Sequence, residues 1–247
     1  MKPLAIDLYC GLGGWTEGLL AAGFDVVGFD IEQHVYGESR YPAKLVIQDV
    51  LTLHGAQFKD AALIVSSSPC QEYSYMSMPW GRAKQIRRAL LGKDEFPAGY
   101  NGSRTVEDLN RLFMASFRIQ REASVAAGHH VPLIAENVRG AQEWVGRAAW
   151  NFGSFYLWGD VPALMPICKK YKSSGMNWSD QTKPGQDFTR VAGMQAGVKQ
   201  GGDWFNASEP SISRLTGSKS PARKAASAMI AKIPFELARH IAAVYAT

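Results

Sequence analysis

LAIDLYCGLGGWTEGLLAAGFDVVGFD, residues 4–30, decides how the rest of the chain is read. LAIDLY (4–9) has the composition of a buried strand, and TEGLLAAG (16–23) that of a short helix, with Thr16 near its start and Gly23 past its end. FDVVGFD (24–30) follows as a second strand, so the stretch is a βαβ unit. Gly11, Gly13 and Gly14 stand between strand and helix, where they let the backbone approach a ligand and aim helix N–H groups at it. Asp30 ends the second strand, 19 residues after Gly11, where a carboxylate can accept hydrogen bonds from both ribose hydroxyls. A nucleotide-like ligand fits this pattern; so do a nicotinamide or flavin site and a purely structural turn. Asp49, at the end of the next strand, suits either an adenine amino group or a solvated loop.

Outward from this unit, KLVIQDV (44–50), AALIVSSSP (61–69) and VPLIAENV (131–138) read as further strands, and 108–128 as a long amphipathic helix closed by Gly128. Alternating β and α segments predict an α/β fold. It has a mostly parallel twisted sheet with helices on both faces, and ligands bind at the carboxyl ends of the strands. After Trp158 the periodicity stops and Gly, Ser, Lys and Trp dominate; helical periodicity then returns toward the C-terminus, interrupted by Pro234. The predicted organisation is an α/β domain over 1–160, completed by a C-terminal helix over 226–247. A small irregular lobe covers 161–225.

The 247 residues, 46% of them hydrophobic, suffice for a sizeable core. No apolar run reaches the ~20 residues of a membrane span, and MKPLAIDLYCG enters a strand pattern directly instead of a signal peptide. The expectation is a soluble cytoplasmic protein with no membrane partner. Cys10, Cys70 and Cys168 are too few and too scattered for a disulfide framework or a zinc cluster, and no metal is expected. The net charge of +5 is uneven: from Met165 to Lys232 eleven Lys or Arg face four Asp or Glu, which suits either a polyanion partner or a merely basic surface.

The apolar run that ends at Val65 delivers SSSPCQEYS (66–74), so Cys70 lies just past a strand, where loops carry chemistry. DLYCGLGG (7–14), SPCQEYS (68–74), AENV (135–138) and IPFELARHIA (233–242) follow one another in that order. In this the chain resembles the C5-cytosine DNA methyltransferases, whose cofactor, Pro-Cys-Gln and Glu-Asn-Val motifs and returning C-terminal helix have the same order. The resemblance covers about the first 160 residues and the last twenty or so, and is carried chiefly by the first two motifs. It implies a Rossmann-like fold using S-adenosyl-L-methionine and releasing S-adenosyl-L-homocysteine, with 1–160 and the helix over 226–247 as catalytic and cofactor-binding domain and 161–225 as target-recognition lobe, and a monomer that acts on double-stranded DNA in a bacterial or phage-infected cell.

The residue types suit that chemistry. C5 of cytosine is a poor nucleophile until a thiolate adds at C6, and a thiolate both adds and leaves readily, a role suited to Cys70. Glu136, holding N3 and the exocyclic amine, favours charge moving onto the ring; Asn137 orients the loop, and Pro69 stiffens the backbone before the cysteine. By the resemblance, Tyr9 packs near the adenine or sulfonium, Gly11 and Gly13 cradle the methionine part, Asp30 holds the ribose and Asp49 the adenine amine. Asp7, Leu12, Gly14 and Ile31 complete the cofactor set. The target base is flipped out to reach Cys70. Plainer readings stand beside these: an inert loop Cys70, a Glu136 paired with a surface cation, a packed Cys10, capping or solvated His129 and His130, and Trp178 and Trp204 packing the lobe instead of stacking on bases.

The chain also departs from the family. Cys70 and Glu136 lie 66 residues apart, and the intervening segment carries Arg82, Lys84, Arg87, Arg88 and Lys93. These suit either a loop that grips phosphates or an amphipathic surface helix from Arg82 to Leu91. Gln71, Ser74 and Arg139 join Arg82, Lys84, Arg87 and Arg88 as candidate nucleic-acid contacts. A Gln-x-Arg-x-Arg motif, which in the family helps hold the cytosine carbonyl, is missing after Glu136, and Arg139 is the nearest candidate to replace it. Ile230-Ala231 stand where the family has Gly-Asn. With the short lobe, these gaps resemble compact orphan or phage-encoded members. A tRNA cytosine-5 methyltransferase of the same design and a catalytically idle DNA-binding relative are the alternative functions.

Overall fold

The computed structural model describes residues 2–74, 80–98, 105–166, 224–225, 228–229 and 231–246. Cys168, Trp178 and Trp204, and nearly all of the 161–225 lobe, lie outside them.

Strands β1 (Leu4–Leu8), β2 (Asp25–Asp30), β5 (Lys44–Ile47), β6 (Ala61–Ser67) and β7 (Leu133–Asn137) are parallel; β9 (Phe155–Gly159) and β8 (Trp150–Phe152) add antiparallel to one edge. The sheet order is β5-β2-β1-β6-β7-β9-β8, so the order reverses beside β1 and β6, the place where open α/β sheets bind ligands. β3 (Val35–Tyr36) and β4 (Ser39–Arg40) form a separate small hairpin.

The central strands are buried on both faces, which is why β7 reads Leu-Ile-Ala without alternation before ending in the buried pair Glu136 and Asn137. One face is covered by α1 (Gly14–Ala21) and the C-terminal helix α5 (Phe235–Tyr245), with Trp15 and Leu19 meeting Leu237 and Ile241. On the other face α3 (Val106–Ala127) lays Ile119 and Ala123 over Ile6, Leu8 and Ile64. Thr105 caps α3 by accepting from the Asp108 N–H, and Gly128 closes it in the left-handed conformation. The short helix α4 (Gln142–Val145) places Trp144 in a third cluster with Tyr73, Phe113 and Trp158.

Boundaries shift by a residue or two from the sequence reading: α1 starts at Gly14 instead of Thr16, and β6 ends at Ser67, leaving Ser68 and Pro69 in the loop. Larger differences are the edge strands β8 and β9, which the sequence reading did not assign, and two 3-10 turns, Val50–Thr52 and Gly55–Phe58, on the crossover from β5 to β6. Residues 82–90 of the expected 82–91 helix lie in α2 (Trp80–Leu90), and Leu91 is in the turn that follows.

Candidate active site

The carboxyl ends of β1, β2, β6 and β7 open into one cavity of about 810 Å³. Its lining includes Cys70, Glu136, Asn137, Asp30 and Asp49, so residues remote in sequence share a single space. Tyr9, Gly11, Leu12, Gly14, Ile31, Pro69 and Gln71 line it too.

The glycine turn works as a hinge between carboxylate and helix. The Gly11 N–H donates to Asp30 Oδ2 at 2.9 Å, which fixes the carboxylate at the cavity edge. Oδ1 of Asp30 accepts from the Glu32 N–H at 3.3 Å and lies 3.5 Å from His34 Nε2. Burial alone would raise the Asp30 carboxyl; the bonds from His34 and Gly11 outweigh it, and the group sits below the usual carboxylate range. His34 is raised by its bond to Asp30 against the opposing effect of burial. Asp49 spends Oδ1 on the Leu51 N–H at 2.9 Å, capping the first 3-10 turn.

Two of the expected cofactor residues lie behind the cavity wall. Asp7 is 1% exposed; its Oδ2 accepts from Thr16 Oγ1 at 2.6 Å, Thr16 Oγ1 lies 2.6 Å from Tyr41 OH, and Asp7 Oδ1 has no hydrogen-bond partner among the described residues. Burial pushes its carboxyl up to about 8, so Asp7 supports the turn as a neutral acid and does not line the cavity. Gly13 is left-handed (φ 78°), and a Cβ there would stand 2.5 Å from Pro42 Cδ; it serves packing of the turn on Tyr41 and Pro42.

The Cys70 loop is tied down on three sides. Asn137 Nδ2 donates to the Ser68 carbonyl at 3.0 Å and to Ser68 Oγ at 3.1 Å, and its Oδ1 accepts from the Val138 N–H at 2.8 Å. Trp15 Nε1 donates to Ser67 Oγ at 2.9 Å, and Ser67 pairs with Glu136 across β6 and β7. After the cysteine, the N–H groups of Tyr73 and Ser74 donate to the Cys70 carbonyl at 3.0 and 2.9 Å, a tight turn that accounts for Ser74. The buried Tyr73 hydroxyl donates to Asn110 Oδ1 at 2.9 Å, and Asn110 Nδ2 donates to the Trp144 carbonyl at 3.1 Å. Cys70 is half-buried and Glu136 is buried. Cys10 is a packed residue whose thiol burial pushes up.

Three arginines of the basic segment have carboxylate partners within the protein. Arg82 pairs with Glu72 at 3.0 Å, Arg87 with Glu143 at 3.3 Å and Arg88 with Asp94 at 3.2 Å. None of Arg82, Lys84, Arg87, Arg88 or Arg139 lines the cavity. Arg139 is exposed at the start of a 3-10 turn. His130 pairs with Asp160 at 2.9 Å, and neither His129 nor His130 lines the cavity. No group of three or more His, Cys, Asp or Glu that could hold a metal occurs among the described residues. No described helix is long and apolar enough to cross a membrane.

The sequence reading missed Trp15, His34, Asn110, Tyr73 and Arg111. Trp15 directly follows the glycines and Tyr73 sits inside the Cys70 motif, so adjacency was the available signal; Asn110 and Arg111 reach the site only through the packing of α3.

Among solved structures, a protein assigned as a DNA modification methyltransferase, encoded within a prophage (E. coli), is 25% identical over 57% of this chain and 33% of its own, with TM-score 0.35. A mutant of DNMT2 from Spodoptera frugiperda is 18% identical over 58% of this chain and 38% of its own (TM-score 0.36). The methyltransferase EhMeth of Entamoeba histolytica is 13% identical over 70% and 55% (TM-score 0.39). The chain thus spans about a third of the length of the first two and about half of the third. No curated protein matches it. Residues 4–88, which run from β1 through the glycine turn and the Cys70 loop into α2, match the family model of the C-5 cytosine-specific DNA methylases, the family that the motifs resemble.

Proposed function

We propose that the chain is a DNA cytosine-5 methyltransferase in which Cys70 attacks C6 of a flipped-out cytosine. The observation that carries this reading is the convergence of Cys70, Glu136 and Asn137 with Asp30 and Asp49 on one cavity at the strand-order reversal. The residues fit S-adenosyl-L-methionine: Asp30 offers a charged carboxylate to ribose hydroxyls, Asp49 faces the same space, and a Cβ at Gly11 would meet nothing within 4 Å, so the turn leaves room for a ligand. When bound, that cofactor supplies the electrophilic methyl group.

The chain's residues do the rest. Cys70 Sγ, as thiolate, bonds to C6, and the C5–C6 π pair moves to C5. Glu136 holds N3 and the exocyclic amine, so that the charge entering the ring is shared through a hydrogen bond in a water-poor site. Once C5 carries the methyl group, it loses its proton to a base; the C5–C6 double bond re-forms and the C6–S bond breaks, returning Cys70 as thiolate. Asn137 keeps the Ser68-Pro69-Cys70 backbone against the strand that carries Glu136 throughout.

Bisulfite sequencing of DNA from a methylation-free host expressing the full chain, beside Cys70→Ala, tests the proposal. Protected cytosines in the wild type alone are expected. Absence of protection with a folded protein, or transfer of labelled methyl to tRNA but not to duplex DNA, overturns it in favour of the idle binder or the tRNA enzyme.

A further inference from the structure

Helix α3 borders the cavity near its N-terminal end, and two tyrosine hydroxyls fix that border. Tyr73, three residues after Cys70, donates to the Leu109 carbonyl at 3.3 Å and to Asn110 Oδ1 at 2.9 Å. Tyr9, from the glycine turn, donates to the Leu112 carbonyl at 2.7 Å. Arg111 stands between these anchored positions, exposed, and lines the cavity that holds Cys70 and Glu136.

The electrostatics of the lining give Arg111 its importance. Six carboxylates line the cavity: Asp30, Glu32, Asp49, Glu72, Asp108 and Glu136. A nucleic-acid strand entering such a field is repelled unless cations at the site offset it. Lys232 is taken by Glu17 at 2.5 Å, and His34 lies between Asp30 and Glu32. Arg111 makes no ion pair or side-chain hydrogen bond among the described residues, and Asp108, one turn back, is engaged by Thr105. Helix α2, the more basic segment, spends Arg82, Arg87 and Arg88 on carboxylates and does not supply the cavity.

We infer that Arg111 is a substrate-binding residue whose guanidinium takes a phosphate of the nucleic-acid strand at the cavity, with its place on α3 set by Tyr9 and Tyr73. A planar guanidinium matches phosphate bidentately, and burial of the neighbouring backbone keeps its anchor point rigid. The inference rests on the nucleic-acid reading above, but it concerns binding and is separable from catalysis.

The test measures binding of a fluorescent duplex to the full chain by anisotropy as salt is raised, for wild type, Arg111→Gln and Arg111→Lys, with S-adenosyl-L-methionine affinity measured calorimetrically alongside. Each phosphate contact adds about 0.9 to the slope of log affinity against log salt. Arg111→Gln is expected to lose about that much, Arg111→Lys to keep it, and both to bind the cofactor as the wild type does. An unchanged slope in Arg111→Gln overturns the inference, as does a loss confined to cofactor affinity, which would assign the guanidinium to the cofactor's carboxylate. A reduced slope in a protein that methylates nothing refutes the proposed catalysis and leaves the phosphate contact standing.

Discussion

Asn137 Nδ2 lies 3.0 Å from the Ser68 carbonyl oxygen and 3.1 Å from Ser68 Oγ, so the strand that carries Glu136 grips the backbone two residues before Cys70. The two groups proposed to act on the base are thereby held by one side chain. Asn137→Ala removes both bonds and leaves buried Ser68 partly unsatisfied, at a cost of about 1–3 kcal/mol of stability. Methyl transfer is expected to fall roughly 100-fold, the penalty that displacement of a reacting group by about 1 Å brings, with cofactor affinity little changed. Thermal melts, calorimetry and single-turnover kinetics check the three parts separately.

Trp15→Phe tests the other tie to the strand. The lost bond from Trp15 Nε1 to Ser67 Oγ is expected to give a coupling of about 0.5–1.5 kcal/mol in a double-mutant cycle with Ser67→Ala, read from denaturant unfolding.

Asp7 makes stability depend on pH. Its folded carboxyl is pushed up to about 8 by burial, against an ordinary value of 3.8, so the folded state holds a proton that the unfolded chain releases. Below the ordinary value the acid is neutral in both states and costs nothing. As pH rises from about 4 to about 8, the unfolded chain ionises first and folding is progressively disfavoured. Melting temperatures of Asp7→Asn and wild type are therefore expected to diverge across that window, the wild type losing ground as pH rises.

Gly14→Ala tests how closely the C-terminal segment meets the cofactor turn. A Cβ at Gly14 would stand 2.3 Å from the Ile233 backbone nitrogen, a clash that backbone on both sides cannot easily relieve. A loss of about 1–3 kcal/mol is expected, together with weaker cofactor binding, since Gly14 and Ile233 both line the cavity. Calorimetric titration of the variant with S-adenosyl-L-methionine reads the second effect.

The parallel sheet was legible because its central strands are buried on both faces and therefore mostly apolar, and because Gly11 follows the first strand and Asp30 ends the second strand of the first βαβ unit. The edge strand β8 escaped because Trp150 and Asn151 face solvent; β9, by contrast, is the buried apolar run Phe155–Trp158 and was legible as a strand. Phe152-Gly153-Ser154-Phe155 was the available hairpin signal, with Gly153 at φ 59° and Phe152 paired to Phe155. Of the candidate site, Cys70, Glu136, Asp30 and Asp49 line one cavity: Asp30 ends β2, Glu136 lies in β7, and Asp49 and Cys70 follow β5 and β6 by two and three residues, so the strand directions that the fold class fixes bring them to the same edge of the sheet. Asp7 belongs to the cofactor set only through the resemblance of DLYCGLGG; it lies within β1, bonds to Thr16 and does not line the cavity. Arg111 was invisible because only the docking of α3, through Tyr9 and Tyr73, brings it to the cavity. The ion pairs of α2 were only partly legible: Asp94 follows Arg88 by six residues, whereas Glu143 is brought to Arg87 by the fold.

The most direct test of the account uses duplex DNA carrying 5-fluorocytosine at the methylated position, incubated with the full chain and S-adenosyl-L-methionine and run on a denaturing gel. Fluorine at C5 cannot leave as a proton does, so the account predicts a cofactor-dependent covalent protein–DNA band that peptide mapping places on Cys70 and that Cys70→Ser lacks. An adduct on another residue, or full-rate methylation by Cys70→Ser with no adduct, would contradict it.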